Sequence, residues 1–173
     1  MFHPIPSERA AQDLPGSQAL RGPNGTTSPV APLGPMRLTR LVEALALARV
    51  AIGGGPDTGK TRMAQRFHDR RVIHGFAFES EGWDAQPELL INACRGLDRF
   101  VVEGLHVGRS LRKGLAVDVI VWLQWAQVPD RTDKQKSTAK GCRTIFESFL
   151  EKAGRSAPPV LYPTLEEVRE FCG

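Results

Sequence analysis

Cysteine is scarce in this chain, long apolar runs are missing, and neither sign of charge dominates. The three cysteines, Cys94, Cys142 and Cys172, are far apart, odd in number and without C-x-x-C spacing. Neither a zinc site nor a full disulfide framework is indicated, and reduced, partly buried thiols are expected. The most apolar early run, residues 41–52, is interrupted by Glu43 and Arg49 and is too short to span a bilayer. Nor does the proline-rich start have the charged-then-apolar layout of a secretory signal. The expectation is a soluble cytoplasmic protein with no membrane partner. A formal net charge of +4 suits an anionic ligand but is too mild to establish nucleic-acid binding. With no second motor motif, recognition helix or aromatic-basic platform, nucleic acid is not the expected partner.

At 173 residues and 41% apolar content one ordinary core can form, and a second independent domain would be hard to fit. Residues 1–36 hold seven of the thirteen prolines, several glycines and serines, and no sustained apolar periodicity. Such a segment cannot bury enough surface to offset the entropy of ordering it, so a disordered Pro/Gly-rich tail is expected. One domain, residues 37–173, follows.

What is present is concentrated in residues 48–61, which read Ala-Arg-Val-Ala-Ile-Gly-Gly-Gly-Pro-Asp-Thr-Gly-Lys-Thr. Gly54, Gly59, Lys60 and Thr61 occupy the fixed places of G-x-x-x-x-G-K-[ST], with Gly55, Pro56, Asp57 and Thr58 between them. Glycines permit backbone conformations that turn successive N–H groups inward around phosphate oxygens. Lys60 would bring positive charge to the β- and γ-phosphates, and the Thr61 hydroxyl would ligate Mg²⁺. The apolar run Val50, Ala51, Ile52 enters the loop and a helix leaves it, adding the positive end of its dipole. A P-loop binding ATP, or another NTP, with Mg²⁺ is therefore expected.

Around this loop the periodicity alternates. Leu38, Leu41, Val42 and Leu45 give one apolar face of a short helix, and 49–52 the first strand. Residues 61–70 read as a helix that faces the sheet through Met63, Ala64 and Phe67. Residues 72–78 read as a second strand and 79–82 as a polar turn. Pro87 opens a helix with Leu89, Leu90, Ala93, Cys94 and Leu97 on one side. Residues 100–102 form a third strand ending at Glu103-Gly104, and 117–123 a fourth, near-continuously hydrophobic as interior parallel strands are. Between them, 106–114 reads as a basic connection. Residues 127–136 read as a charged loop and 138–152 as a helix with Cys142, Ile145, Phe146, Phe149 and Leu150 as its stripe. A short strand at 160–162 and a helix opened by the capping box Thr164-Leu-Glu-Glu167 complete the chain. This alternation implies an α/β fold, a parallel sheet with helices on both faces.

The P-loop with Val-Val-Glu-Gly-Leu (101–105), Arg-Ser-Leu-Arg-Lys (109–113) and Ala-Lys-Gly (139–141) resembles the small kinase-like P-loop proteins that include nucleotide kinases. It is closer to a family of uncharacterised bacteriophage and bacterial P-loop proteins. The likeness covers residues 48–153 and implies a three-layer α/β/α sandwich with sheet order 2-3-1-4-5. It also implies that Glu103 holds Mg²⁺ or orients a nucleophile, and that Arg109, Arg112 and Lys140 meet phosphate charge. Physical reasoning agrees for Glu103, since an acid ending a buried strand beside a P-loop needs a partner. From Arg109 to Arg143 eight basic residues face three acids, a surplus that a mobile basic lid would bring to a phosphoryl transition state. One departure is that such proteins carry aspartates at the end of the second strand, where this chain has His74 and, further on, Glu79. His74 is read as structural, with a role as base the alternative, and Trp83 as a core aromatic, with stacking on a substrate base the alternative. The expected activity is transfer of the γ-phosphoryl group of ATP to a small acceptor such as a nucleotide or nucleoside, with Lys60, Glu103 and Arg109 catalytic. The other reading is a catalytically weakened nucleotide switch acting through a partner.

Overall fold

The computed structural model describes residues 42–43, 45–124 and 132–173. The tail expected over 1–36, the helical positions Leu38 and Leu41, and the stretch 127–131 of the expected charged loop lie outside the described residues. Of the expected first helix, Val42, Glu43 and Leu45 are helical, and Leu45 is buried.

Strand β1 (Arg49–Gly54) is the middle of a five-stranded sheet. It pairs in parallel with β3 (Phe100–Glu103) on one side and β4 (Val119–Leu123) on the other. Outside these lie β2 (Arg71–His74), parallel to β3, and the short β5 (Val160–Leu161), parallel to β4. The order is therefore β2-β3-β1-β4-β5, the expected 2-3-1-4-5. Strands β3 and β4 are buried throughout, which is why their sequences run apolar without alternation.

Helices cover both faces. On one, α1 (Lys60–Ala64) and α5 (Leu165–Cys172) pack Met63, Ala64, Val168 and Cys172 against Val50, Ile52, Val101 and Val121. On the other lie α2 (Gln86–Cys94), α3 (Val107–Arg112) and α4 (Asp133–Ala153). They bury Leu90, Leu111 and Phe146 against Ala51, Val102, Ile120 and Trp122. Phe146 stacks on Trp122 with ring centroids 3.8 Å apart and planes 7° from parallel. Such a pair contributes about 0.5–1.5 kcal/mol beyond the area it buries.

Several expected boundaries shift. Helix α1 stops at Ala64, and the chain continues in tighter turns that still bury Phe67. Strand β2 ends at His74, and residues Gly75–Glu81 form a 3₁₀ segment instead of more strand. The cause is the neighbour: β3 ends at Glu103, so residues beyond His74 have no ladder to join. The connection expected over 106–114 contains α3, whose Val107 and Leu111 bury at i and i+4. Arg109 and Arg112, expected in a lid there, are thus on a packed helix, with Lys113 just past its end. Helix α4 begins earlier than expected, at a capping box between Thr132 and Gln135, whereas the box at Thr164 and Glu167 opens α5 as expected.

Candidate active site at the P-loop

The loop between β1 and α1 leaves the sheet through Gly54, which has φ 145°. A Cβ there would sit 2.5 Å from the Leu123 carbonyl oxygen, so only glycine fits. Asp57 and Gly59 also take positive φ, 53° and 86°, giving the curled backbone that a phosphate cradle needs. Lys60 is 8% exposed; its ammonium donates to the Gly55 carbonyl and, at 3.3 Å, to the Thr58 hydroxyl. Thr58 itself donates to the Gly55 carbonyl at 3.0 Å. The loop thus holds its own cation at its mouth. At its tip, the Asp57 carboxylate accepts a hydrogen bond from the Gln135 side chain on α4.

Glu103 is only 2% exposed, and a carboxylate so buried requires partners. It has two. The Thr61 hydroxyl donates to Oε1 at 3.2 Å, and His74 Nδ1 lies 3.0 Å from the same oxygen. Register explains the second contact: His74 and Glu103 are paired positions on parallel neighbours, so their side chains share a face. The backbones close on each other just beyond, where a Cβ on Gly104, at φ 150°, would lie 3.1 Å from the Gly75 Cα. His74, expected to be structural with a role as base the alternative, thereby touches Glu103, and its ring stacks on Phe76 with centroids 5.0 Å apart.

A cleft of about 500 Å³ opens over these groups. It is bordered by Pro56, Asp57, Lys60 and Thr61 of the P-loop, by Glu103 and Gly104, and by Phe76, Glu79, Trp83, Gln86 and His106. Trp83, expected in the core, is 45% exposed and stands in the cleft wall. His106, passed over in the sequence as the start of a basic connection, is 3% exposed. Its ring meets the edge of Trp83 at a centroid distance of 4.1 Å. Burial, aided by the Arg109 charge and opposed by Asp84, pushes its pKa down to about 4. No local sequence pattern marks this residue, because its isolation comes from the packing of α2, α3 and the 3₁₀ segment.

The basic residues implied by the resemblance are placed differently. Arg109 pairs with Asp84 at 3.2 Å and lies over the Trp83 ring at 5.2 Å. It borders a neighbouring cavity of about 200 Å³ together with Trp83, Gly108 and Gly141. Arg112 borders a third cavity with Asp84, Pro87 and Lys113. Lys140 is exposed on α4. The tertiary structure therefore gathers Pro56, Asp57, Lys60, Thr61 and Glu103 around one cleft, sets Arg109 over the ring of Trp83, and does not bring Arg109, Arg112 or Lys140 to its border.

For a divalent cation the donor set is two hard oxygens, Thr61 Oγ1 and Glu103 Oε1. Among the described residues no group of three or more His, Cys, Asp or Glu is arranged to hold a metal. Mg²⁺ fits such a place, because it takes one or two protein oxygens and completes its shell with phosphate and water. The three cysteines are free and buried; burial pushes the Cys94 thiol up to about 12, which keeps it out of nucleophilic chemistry. No helix among the described residues is long and apolar enough to cross a membrane.

No protein-family profile matches the chain, and no curated protein matches it. Among solved structures, a shikimate kinase from Acinetobacter baumannii in complex with shikimate is similar at 11% identity and a TM-score of 0.46, over 75% of this chain and 92% of that one. At that level the likeness says nothing of activity or substrate.

Proposed function

We propose that the protein is a phosphotransferase that moves the γ-phosphoryl group of ATP, or of another NTP, to a hydroxyl of a small acceptor. The observation that carries this reading is the double contact of Glu103 with Thr61 and His74. In this reading Thr61 and Glu103 would hold the metal, and His74, against the same carboxylate oxygen, would accept the proton. The amides of residues 55–61 would bind the phosphates, and Lys60 would leave the Gly55 carbonyl to meet the terminal ones. Thr61 and Glu103 would hold Mg²⁺, which when bound neutralises phosphate charge. With its Nδ1–H donated to Glu103, His74 keeps Nε2 as an acceptor for the proton of the attacking hydroxyl. A new acceptor O–P bond forms as the bond to the β-phosphate oxygen breaks, and ADP departs.

One observation favours a second reading, a nucleotide switch. The Asp57–Gln135 hydrogen bond ties the P-loop tip to the first turn of α4, so a nucleotide entering the loop would be felt by that helix. The two readings separate when the purified protein with Mg²⁺ and labelled ATP is given nucleosides, nucleotides and other small alcohols. Labelled product, lost in Glu103→Gln, is the expected result. Tight ATP binding with no consumption of ATP in the presence of any acceptor would leave the switch.

A further inference from the structure

We propose that the part of the cleft bordered by Phe76, Trp83, Gln86 and His106 is an acceptor pocket for an uncharged alcohol bearing a planar ring, a nucleoside in preference to a nucleoside monophosphate, with His106 and Gln86 reading its polar edge beside Trp83. This rests on the phosphotransferase reading, whose acceptor it specifies.

The first observation is His106. Among the described residues its Nδ1 and Nε2 are the buried side-chain nitrogens or oxygens with no hydrogen-bond partner, and its ring borders the cleft. Leaving such atoms unsatisfied costs about 1–3 kcal/mol each, and a bound ligand that supplies a partner recovers part of that. The depressed pKa keeps the ring uncharged near neutrality, so it offers one donor and one acceptor. Gln86, also buried, borders the cleft beside it with a carboxamide of the same dual character. Donor-acceptor groups of this kind match the edge of a heterocycle.

Charge supplies the second argument. Among the described residues the charged ones bordering this cleft are Lys60 against Asp57, Glu79 and Glu103. Lys60 belongs to the phosphates of the donor nucleotide. An acceptor carrying its own phosphate would face these carboxylates, and among the described residues the nearest further cation, Arg109, is paired with Asp84 and lies over the Trp83 ring. The nearby arginines, Arg109 and Arg112, border other cavities. Apolar surface supplies the third argument: Trp83 and Phe76 are 45% and 56% exposed and both border the cleft. Exposed rings in a cleft wall favour a planar ligand face. A ring held there would lie in the same cleft as Glu103.

The test uses the full chain in calorimetry with adenosine, guanosine, cytidine, uridine, thymidine and their 5′-monophosphates, each with and without a non-hydrolysable ATP analogue. One nucleoside should bind about tenfold or more tighter than its own monophosphate. His106→Ala and Trp83→Leu should each weaken that nucleoside about tenfold while leaving the ATP analogue within about twofold. Trp83 is exposed, so its variant remains informative if the buried His106→Ala fails to fold. A monophosphate that binds more tightly than its nucleoside overturns the proposal. So does nucleoside binding indifferent to both variants, or no nucleoside binding by a protein that binds the ATP analogue. Failure to bind the ATP analogue would instead remove the phosphotransferase reading, and the arm without it would still decide whether the pocket takes nucleosides.

Discussion

Glu103 and His74 occupy paired positions of adjacent parallel strands and meet at 3.0 Å on the face of the sheet that carries Thr61. One carboxylate oxygen thus links the P-loop hydroxyl to an imidazole. If the cleft transfers phosphoryl groups, the charge on Glu103 matters more to turnover than to nucleotide affinity. Glu103→Gln keeps the shape and should lower kcat about a hundredfold or more, as removal of other electrostatic stabilisers does. Steady-state kinetics beside calorimetry checks this; a changed KM with unchanged kcat would place Glu103 in ground-state binding only.

His74 should behave as a base held by Glu103. His74→Gln should reduce kcat about a hundredfold, within the usual range for losing a general base, with ATP affinity retained. A structural role would show instead as a lower melting temperature with kcat per folded molecule unchanged, so thermal melts and active-site titration are read together.

Lys60 supplies the full positive charge that the loop holds at its mouth. Lys60→Ala should weaken Mg²⁺-ATP binding about tenfold or more, the scale of a lost charge-assisted hydrogen bond. The circular dichroism spectrum should stay that of the wild type. Unchanged affinity by calorimetry would remove the P-loop assignment.

At the opposite end of β1, Arg49 clamps Asp118. The guanidinium donates to Oδ1 at 2.6 Å, and the Arg49 backbone N–H donates to Oδ2 at 2.8 Å. These hydrogen bonds, chiefly the side-chain one from Arg49, hold the Asp118 carboxyl below its ordinary value. A depressed folded pKa gives stability that is present above the unfolded pKa of about 4 and is lost as pH falls through the folded pKa. Asp118→Asn should cost about 1 kcal/mol at pH 7, a modest value because the pair is partly exposed. The difference from wild type should shrink in urea titrations below about pH 4. A gap that persists at pH 2 would assign the effect to packing.

Some of this site was legible before folding is considered. The spacing of Gly54, Gly59, Lys60 and Thr61, the apolar strand that ends in Glu103, and the box at Thr164 and Glu167 are local patterns. Their meaning depends on residues a few positions apart, and the backbone obeys them wherever the segment lies. The alternation of strand and helix likewise gave the α/β class, because periodicity is a local signal.

What only the tertiary structure decided depends on neighbours distant in sequence. His74 touches Glu103 because β2 lies beside β3 in matching register, a pairing across 29 residues. The second strand stops at His74 because its neighbour stops at Glu103, whatever the β-propensity of the residues that follow. Trp83 is exposed, and His106 buried without partners, through the way the 3₁₀ segment, α2 and α3 meet. Arg109 stands outside the cleft because α3 turns it onto Asp84 and Trp83. Hydrophobic pattern states how much of a side chain should be buried, but it carries no information on which partner will be found there.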